Sequence, residues 1–178
     1  MQLWLEAQAL CLENVGDALD GLARLEESLE HYERSADLVR RLVSRDNEVC
    51  HRSTLGLLHE KMGSAHYLLG NLPPALKNQR EALRIMRQLA LEEPATLGWQ
   101  EALAAVHIFI GEIMEAAHDL SAAYRGYVQA VTIRKKLLDL EPGSADRNHA
   151  LFMAEQRVDE LKLRLLSSLD VRRQTSRH

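Results

Sequence analysis

The sequence predicts an all-α protein built from repeated helical hairpins, and three observations lead to this fold class. Residues of high helix propensity, above all Ala, Leu, Glu, Arg and Gln, dominate the 178 positions. No extended alternation of β-branched and aromatic residues indicates a strand. The second third of the chain also matches the last third at a shift of 48 residues, and a weaker first copy appears at a shift of 47.

In the shifted alignment, residues of the same kind fall on one another over the length of the copy. The matched pairs are Met62-Gly63 with Ile110-Gly111, Leu72 with Leu120, Ala82 with Ala130, Ile85 with Ile133, Leu89 with Leu137 and Pro94 with Pro142. So many matches in one register indicate a structural repeat of two helices per copy.

The repeat predicts three antiparallel hairpins and a seventh, capping helix. The first helices cover residues 2–22, 48–70 and 97–117, the second helices 25–45, 73–92 and 120–140, and the capping helix 145–168. Gly70, Pro94 and Pro142 support these limits because they end helices. We expect one domain over residues 1–170, with repeats at 2–46, 47–94 and 95–142. The basic tail, residues 171–178, is predicted to fray.

A glycine in each first helix and a small residue in each second helix keep a fixed spacing. The three copies read Leu12-x2-Val15-Gly16-x2-Leu19 then Ser28-x3-Tyr32, His59-x2-Met62-Gly63-x2-His66 then Ala75-x3-Gln79, and His107-x2-Ile110-Gly111-x2-Met114 then Ala123-x3-Tyr127. This spacing resembles the tetratricopeptide repeat (TPR), whose pattern is W-x2-L-G-x2-Y followed by A-x3-F. The longer period resembles elongated bacterial arrays of that family. The resemblance implies a stacked solenoid that binds proteins on a concave surface lined by the first helices.

Other functional classes find little support in the sequence. A net charge of −4 disfavours nucleic-acid binding. The longest nearly apolar run, residues 102–110, is too short to cross a bilayer, and the N-terminus does not read as a signal peptide, so we expect a cytoplasmic protein without membrane contact. No acid–base pair, nucleophile or phosphate loop is present, so we expect neither catalysis nor a cofactor.

Metal binding has two weak sequence signals. His59 and His66 lie seven residues apart on one helix face, but the sequence places no third ligand near them. His59-Glu60 is also not part of an HExxH motif, because residue 63 is glycine rather than histidine. Cys11 and Cys50 stand alone in helical segments, which favours reduced structural thiols and leaves a disulfide between them open. We predict no metal site.

Charge is segregated between the two kinds of helix. The predicted first helices carry nine acidic and two basic residues, whereas the second helices of copies two and three carry eight basic and three acidic residues. Residues at i, i+4 and i+7 share one helix face. The predicted partner-binding groove therefore consists of Glu13, Asp17, Asp20, Glu60, Ser64, Tyr67, Ile108, Glu112 and Glu115.

These features predict a scaffold that binds a basic or amphipathic peptide or helix in an acidic groove. Some members of the family hold acidic chaperone tails with Lys, Asn and Arg, but the carboxylates in this groove disfavour such ligands. A structural, homo-oligomerising or regulatory module of a larger signalling assembly remains the alternative. A minor alternative is membrane or nucleic-acid contact through the basic second helices.

Overall fold

The computed structural model describes the backbone of residues 2–175 and the side chains of residues 2–168. Seven helices and no strand occupy this part of the chain, which confirms the predicted all-α fold class. The helices are α1 (Gln2–Gly21), α2 (Leu25–Asp46), α3 (Val49–Leu68), α4 (Leu72–Glu92), α5 (Leu97–Ala116), α6 (Leu120–Leu140) and α7 (Ala145–Thr175).

The predicted helix limits agree closely with the observed ones except at the C-terminus. Helix α7 continues to Thr175, so the predicted end at residue 168 and the frayed tail from residue 171 are wrong as far as Thr175. The sequence from Ala145 to Thr175 contains no Gly or Pro that would end the helix. Residues 176–178 of that tail lie outside the described residues.

The chain divides into two compact units, residues 1–99 and residues 100–178. In the first unit, α1 packs on α2, α2 on α3, and α3 on α4. In the second unit, α6 packs on α7, and α5 approaches α6 closely at Gly111 and Gly126. The single domain expected over residues 1–170 stays a prediction.

Each hairpin turns in the same way, which shows that the repeat is structural. A residue with positive φ ends the first helix of every hairpin, namely Ala23, Gly70 or His118. The next backbone N–H then donates to the carbonyl five residues earlier, in the pairs Arg24 with Leu19, Asn71 with His66 and Asp119 with Met114, at 2.8–2.9 Å. Only the second copy uses glycine for this left-handed position.

The repeat glycines allow the two helices of each hairpin to approach closely. A Cβ atom on Gly16 would lie 2.5 Å from the Tyr32 ring, and one on Gly111 would lie 2.9 Å from the Tyr127 ring. In the second copy Gly63 has the same relation to Gln79, at 2.5 Å. The spacing that carried the family resemblance therefore marks the contact between the paired helices.

We expect Gly16→Ala to destabilise the fold by about 1–3 kcal/mol, because the rigid, buried Tyr32 ring has no space to move. Gly98→Ala is the matched control. No atom lies within 4 Å of its added Cβ, and alanine favours helices more than glycine does. Urea unfolding checks both variants, and a loss of stability no greater for Gly16→Ala than for Gly98→Ala would contradict this interpretation of the glycine.

Polar contacts bind the three helices α1, α2 and α3 to one another. The buried His51 ring on α3 lies 2.9 Å from Asp46 of α2 through Nδ1 and 3.1 Å from Glu6 of α1 through Nε2. Burial lowers the pKa of His51, but the two carboxylates outweigh it and raise the pKa above its usual value. The hydroxyl of buried Ser35 on α2 donates to the Ala9 carbonyl of α1 at 2.8 Å.

Helix α7 covers α6 in the second unit, as the predicted capping helix should. Ala123 and Tyr127 of α6 form a buried cluster with Leu161 of α7, and Val158 packs against it. Helix α7 repeats the first-helix pattern at a further shift of 48 residues, which places Val158 and Leu161 at the positions of Ile110 and Ile113. A fourth first-type helix thus ends the repeat.

Candidate partner-binding groove

Six of the nine predicted groove residues lie in the first unit, and a lysine connects two of them. Glu13 and Asp17 lie on α1, while Lys61 lies on α3. The Lys61 Nζ atom donates to Glu13 Oε1 at 2.7 Å and to the two Asp17 carboxylate oxygens at 2.7 and 2.8 Å. Two of the predicted groove carboxylates therefore share an internal cation.

Tyr32 of α2 also contacts this cluster of Glu13, Asp17 and Lys61. Its hydroxyl donates to Asp17 Oδ1 at 2.8 Å, and the Lys61 ammonium lies 5.7 Å from the centre of its ring. Burial and the Asp17 carboxylate raise the pKa of Tyr32 far above its usual value, so the phenol stays protonated. Asp17 is thus held by one cation and one hydroxyl in a fixed position.

Glu60 of α3 has the opposite environment. Its side chain is half-buried, and no ion pair or hydrogen bond joins its carboxyl group to another residue in the described part of the chain. Burial alone raises the pKa of Glu60 to about 7. A carboxylate that is partly desolvated without a cation is a favourable place for the positive charge of a ligand.

Gln79 lies beneath this part of α3, where the other hairpins place tyrosine. Its amide nitrogen donates to the backbone carbonyl of Glu60 at 3.1 Å, and the residue is 2% exposed. Its amide oxygen is buried and has no hydrogen-bond partner. Because glutamine presents no phenolic hydroxyl, the second hairpin lacks the contact that Tyr32 makes with the groove in the first.

The remaining first-unit groove residues are Asp20 on α1 and Ser64 and Tyr67 on α3, all half-buried. Asp20 has no ion pair with another described residue. Asp20 and Glu60 are therefore the groove carboxylates of this unit that lack a cation.

Two exposed leucines beside these carboxylates were not among the predicted groove residues. Leu10 of α1 is 57% exposed and Leu57 of α3 is 42% exposed. The two leucines occupy the same repeat position, each three residues before a groove glutamate. This shared position was the sequence signal that could have placed them in the groove. Leu10 lines a hollow of about 270 Å³ with Glu6, Ala9, Glu13, Val39, Leu42, Cys50, His51 and Thr54. The surface is thus both acidic and apolar.

The other three predicted residues, Ile108, Glu112 and Glu115, lie on α5 in the second unit. The Arg157 guanidinium donates to Glu115 at 2.7 Å, and Arg164 contacts the same carboxylate. Ile108 packs against the cluster between α6 and α7. Burial raises the pKa of Glu112, while Arg157 partly opposes the shift. Glu112 is thus the groove carboxylate of this unit without a direct ion pair.

Residues that form metal sites elsewhere are engaged differently in the described chain. Ligand atoms of Glu48, Cys50 and His51 lie within 4.8 Å of one another, but both ring nitrogens of His51 already contact carboxylates. His59 Nδ1 lies 2.9 Å from Asn78 Oδ1, and burial lowers the pKa of both His59 and His66. Cys11 and Cys50 are free thiols, and both are exposed, so the expected structural role is wrong.

Among the helices described here, none combines the length and apolar character that a bilayer span requires.

The family model for the tetratricopeptide repeat matches residues 8–48, which include α1 and α2 with Gly16 and Tyr32. The predicted resemblance to the tetratricopeptide repeat is therefore confirmed over this first hairpin. A search of curated proteins finds no match to this chain.

Two solved structures share its fold. The first TPR of Spaghetti (RPAP3), bound to the HSP90 peptide SRMEEVD, superposes with a TM-score of 0.51 at 16% identity, covering 86% of this chain and 94% of that one. BtubC (BKLC) from P. vanneervenii superposes with a TM-score of 0.63 at 14% identity, covering 93% of this chain and 66% of that one. At these identities the likeness shows the fold alone.

Proposed function

We propose that this chain is a scaffold that binds a basic, amphipathic peptide or helix along the acidic face of its first unit, formed by α1 and α3. The observation that carries the proposal is Glu60, a half-buried carboxylate with a pKa of about 7 and no cation beside it. A lysine or arginine of a ligand would stabilise the ionised form of Glu60, and the contact would be strong because the group is partly shielded from water.

The internal lysine supports this ligand chemistry. Lys61 lies between Glu13 and Asp17 at 2.7 Å, so carboxylates of this surface already hold an ammonium group. Asp20 and Glu60 make no comparable pair among the described residues. Leu10 and Leu57 add exposed apolar surface, which is what the other face of an amphipathic helix needs.

The peptide in the Spaghetti structure is acidic, whereas the ligand proposed for this chain is basic. Its sequence, SRMEEVD, contains two glutamates and one aspartate. In this chain Glu13, Asp17, Asp20, Glu60, Glu112 and Glu115 occupy the first helices. Like charges repel across an interface, so we propose that the shared fold binds a ligand of opposite sign here.

The test uses a synthetic amphipathic helix with lysines on its polar face and a charge-inverted peptide with glutamates in their place. We expect the basic peptide to bind the full chain and the acidic one not to bind. The double variant Asp20→Asn with Glu60→Gln should weaken binding of the basic peptide at least about tenfold, as expected for the loss of charge-assisted contacts. Fluorescence anisotropy measures both affinities.

A matched control removes the same charge from second helices. Glu26 and Glu30 of α2 are exposed, and the variant Glu26→Gln with Glu30→Gln has the same net charge as the first double variant. Equal weakening by the two double variants would show that net charge alone attracts the peptide. Tighter binding of the acidic peptide would refute the proposal directly.

A further inference from the structure

One face of α1, its outer face around Cys11, is exposed. The matching faces of the other first-type helices α3 and α7 pack against a neighbouring helix. The repeat aligns α1 with α7 through three successive shifts of 47, 48 and 48 residues. In this alignment Val15 and Ala18 of α1 occupy the repeat positions of Val158 and Leu161 of α7. Those α7 residues pack against Ala123 and Tyr127 of α6, the second-type helix that precedes α7.

Helix α3 shows the same relation. Residues Trp4, Gln8, Cys11, Val15 and Ala18 of α1 fall on five buried residues of α3, namely His51, Leu55, Leu58, Met62 and Ala65. Helix α3 packs on α2, and His51 contacts Asp46 there. By this register, α1 exposes the positions through which α3 and α7 pack on a second-type helix.

The outer face of α1 carries no charged residue. Its members, spaced three and four apart, are Trp4, Ala7, Gln8, Cys11, Asn14, Val15 and Ala18. Trp4 is 62% exposed and Val15 is 44% exposed, and of the others only Gln8 is half-buried rather than exposed. The opposite side of α1 buries Ala9, Glu13 and Gly16. A helix with apolar residues on both sides is stable when both sides are covered.

We infer that a second copy of this chain covers the outer face of α1, through an antiparallel pair of α1 helices. The α1 residues of this face offer no charge by which a foreign partner of either sign would be selected. Its positions are symmetric about Cys11, so a two-fold axis there would place large residues opposite small ones. Trp4 would lie opposite Ala18, Val15 opposite Ala7, and the amide of Gln8 opposite that of Asn14. This self-complementarity is what an isologous interface requires.

A hollow beside the symmetric positions provides room for the partner. It has a volume of about 320 Å³ and is lined by Trp4, Ala7, Gln8, Cys11, Leu12 and Arg34. In the antiparallel pair, Val15 of the second copy lies opposite Ala7 and enters this hollow. Because one helix pair of about 30 Å forms an interface at the small end of the usual range, we expect the dimer to dissociate on dilution, with a Kd in the micromolar range.

Sedimentation velocity of the full chain under reducing conditions, over about 1–200 μM, tests the inference across that Kd. We expect a monomer–dimer equilibrium that Cys11→Glu shifts towards monomer by at least about tenfold in Kd, because the new carboxylates would meet at the axis. Leu10→Glu is the matched control, since Leu10 is exposed on the same helix but lines the inner hollow. It should leave the equilibrium unchanged.

Alkylation of the two exposed thiols gives a second readout that requires no substitution. Cys11 lies on the outer face and Cys50 lines the inner hollow with Leu10. We expect alkylation of Cys11 to slow as protein concentration rises while that of Cys50 stays constant. A monomer at every concentration, or a dimer disrupted by Leu10→Glu and not by Cys11→Glu, overturns the inference.

Discussion

Glu60→Gln is expected to make the protein more stable at pH 8 and to weaken its binding of a basic peptide about tenfold. Burial raises the pKa of Glu60 from 4.5 to about 7, so ionisation above pH 7 opposes folding. Glutamine has nearly the same shape and never ionises. We expect a gain of about 1–3 kcal/mol at pH 8, less than the whole pKa shift implies because the side chain is partly solvated.

The pH dependence distinguishes this explanation from a general effect of the substitution. The folded protein binds the Glu60 proton more tightly than the unfolded chain, so wild-type stability falls relative to Glu60→Gln as pH rises from about 4.5 to about 7. Peptide affinity should change in the other direction. Between pH 6 and pH 8 the ionised fraction of Glu60 rises about tenfold, from about 0.09 to about 0.91, and affinity for a cation should rise with it.

Thermal unfolding and anisotropy at pH 5, 6, 7 and 8 measure both effects. Glu26→Gln, which removes an exposed carboxylate of α2, is the matched control and should change neither profile. If Glu60→Gln does not alter the pH dependence of peptide affinity, the ionised Glu60 carboxylate is not part of the binding site.

Lys61→Met should lower the stability of the protein and strengthen its binding of the basic peptide, the opposite of Glu60→Gln. It removes the cation between Glu13 and Asp17, and Glu13 is only 8% exposed. A carboxylate left buried without a counterion is costly, so we expect a loss of about 1–3 kcal/mol at pH 7. The two carboxylates are then available to the ligand, and the basic peptide should bind several-fold more tightly at low salt.

A double-mutant cycle separates the ion pair from the packing of the lysine stem. The variant Glu13→Gln with Lys61→Met should recover most of the stability, because the buried Glu13 carboxylate is gone and the exposed Asp17 carboxylate keeps its hydrogen bond from Tyr32. Urea unfolding of the four proteins gives the coupling free energy. Additive losses would show that Glu13 and Lys61 do not stabilise the fold through their contact.

The sequence predicted most of the fold because the information lies in short-range patterns. The repeat register located Gly16, Gly63 and Gly111, and each approaches the second helix of its own hairpin. The continuation of α7 to Thr175 was not predicted, since a polar and basic segment without Gly or Pro is compatible with either a helix or a frayed end.

The charge of the groove depended on contacts that the sequence does not reveal. Lys61 is 44 residues from Asp17, and Arg157 is 42 residues from Glu115, so a count of charges per helix does not show which are paired. The raised pKa of Glu60 likewise arises from burial. Of the nine acidic residues on the predicted first helices, only a few thus lack a cation among the described residues.

Carbodiimide footprinting of carboxylates, with and without the basic peptide, tests the location of the ligand most directly. Labelling by glycine ethyl ester and mass spectrometry report each carboxylate separately in the full chain. We predict that the peptide protects Asp20 and Glu60 and leaves Glu26 and Glu30 unchanged. Protection of the second-helix carboxylates instead, or of none, would contradict the acidic groove on the first helices.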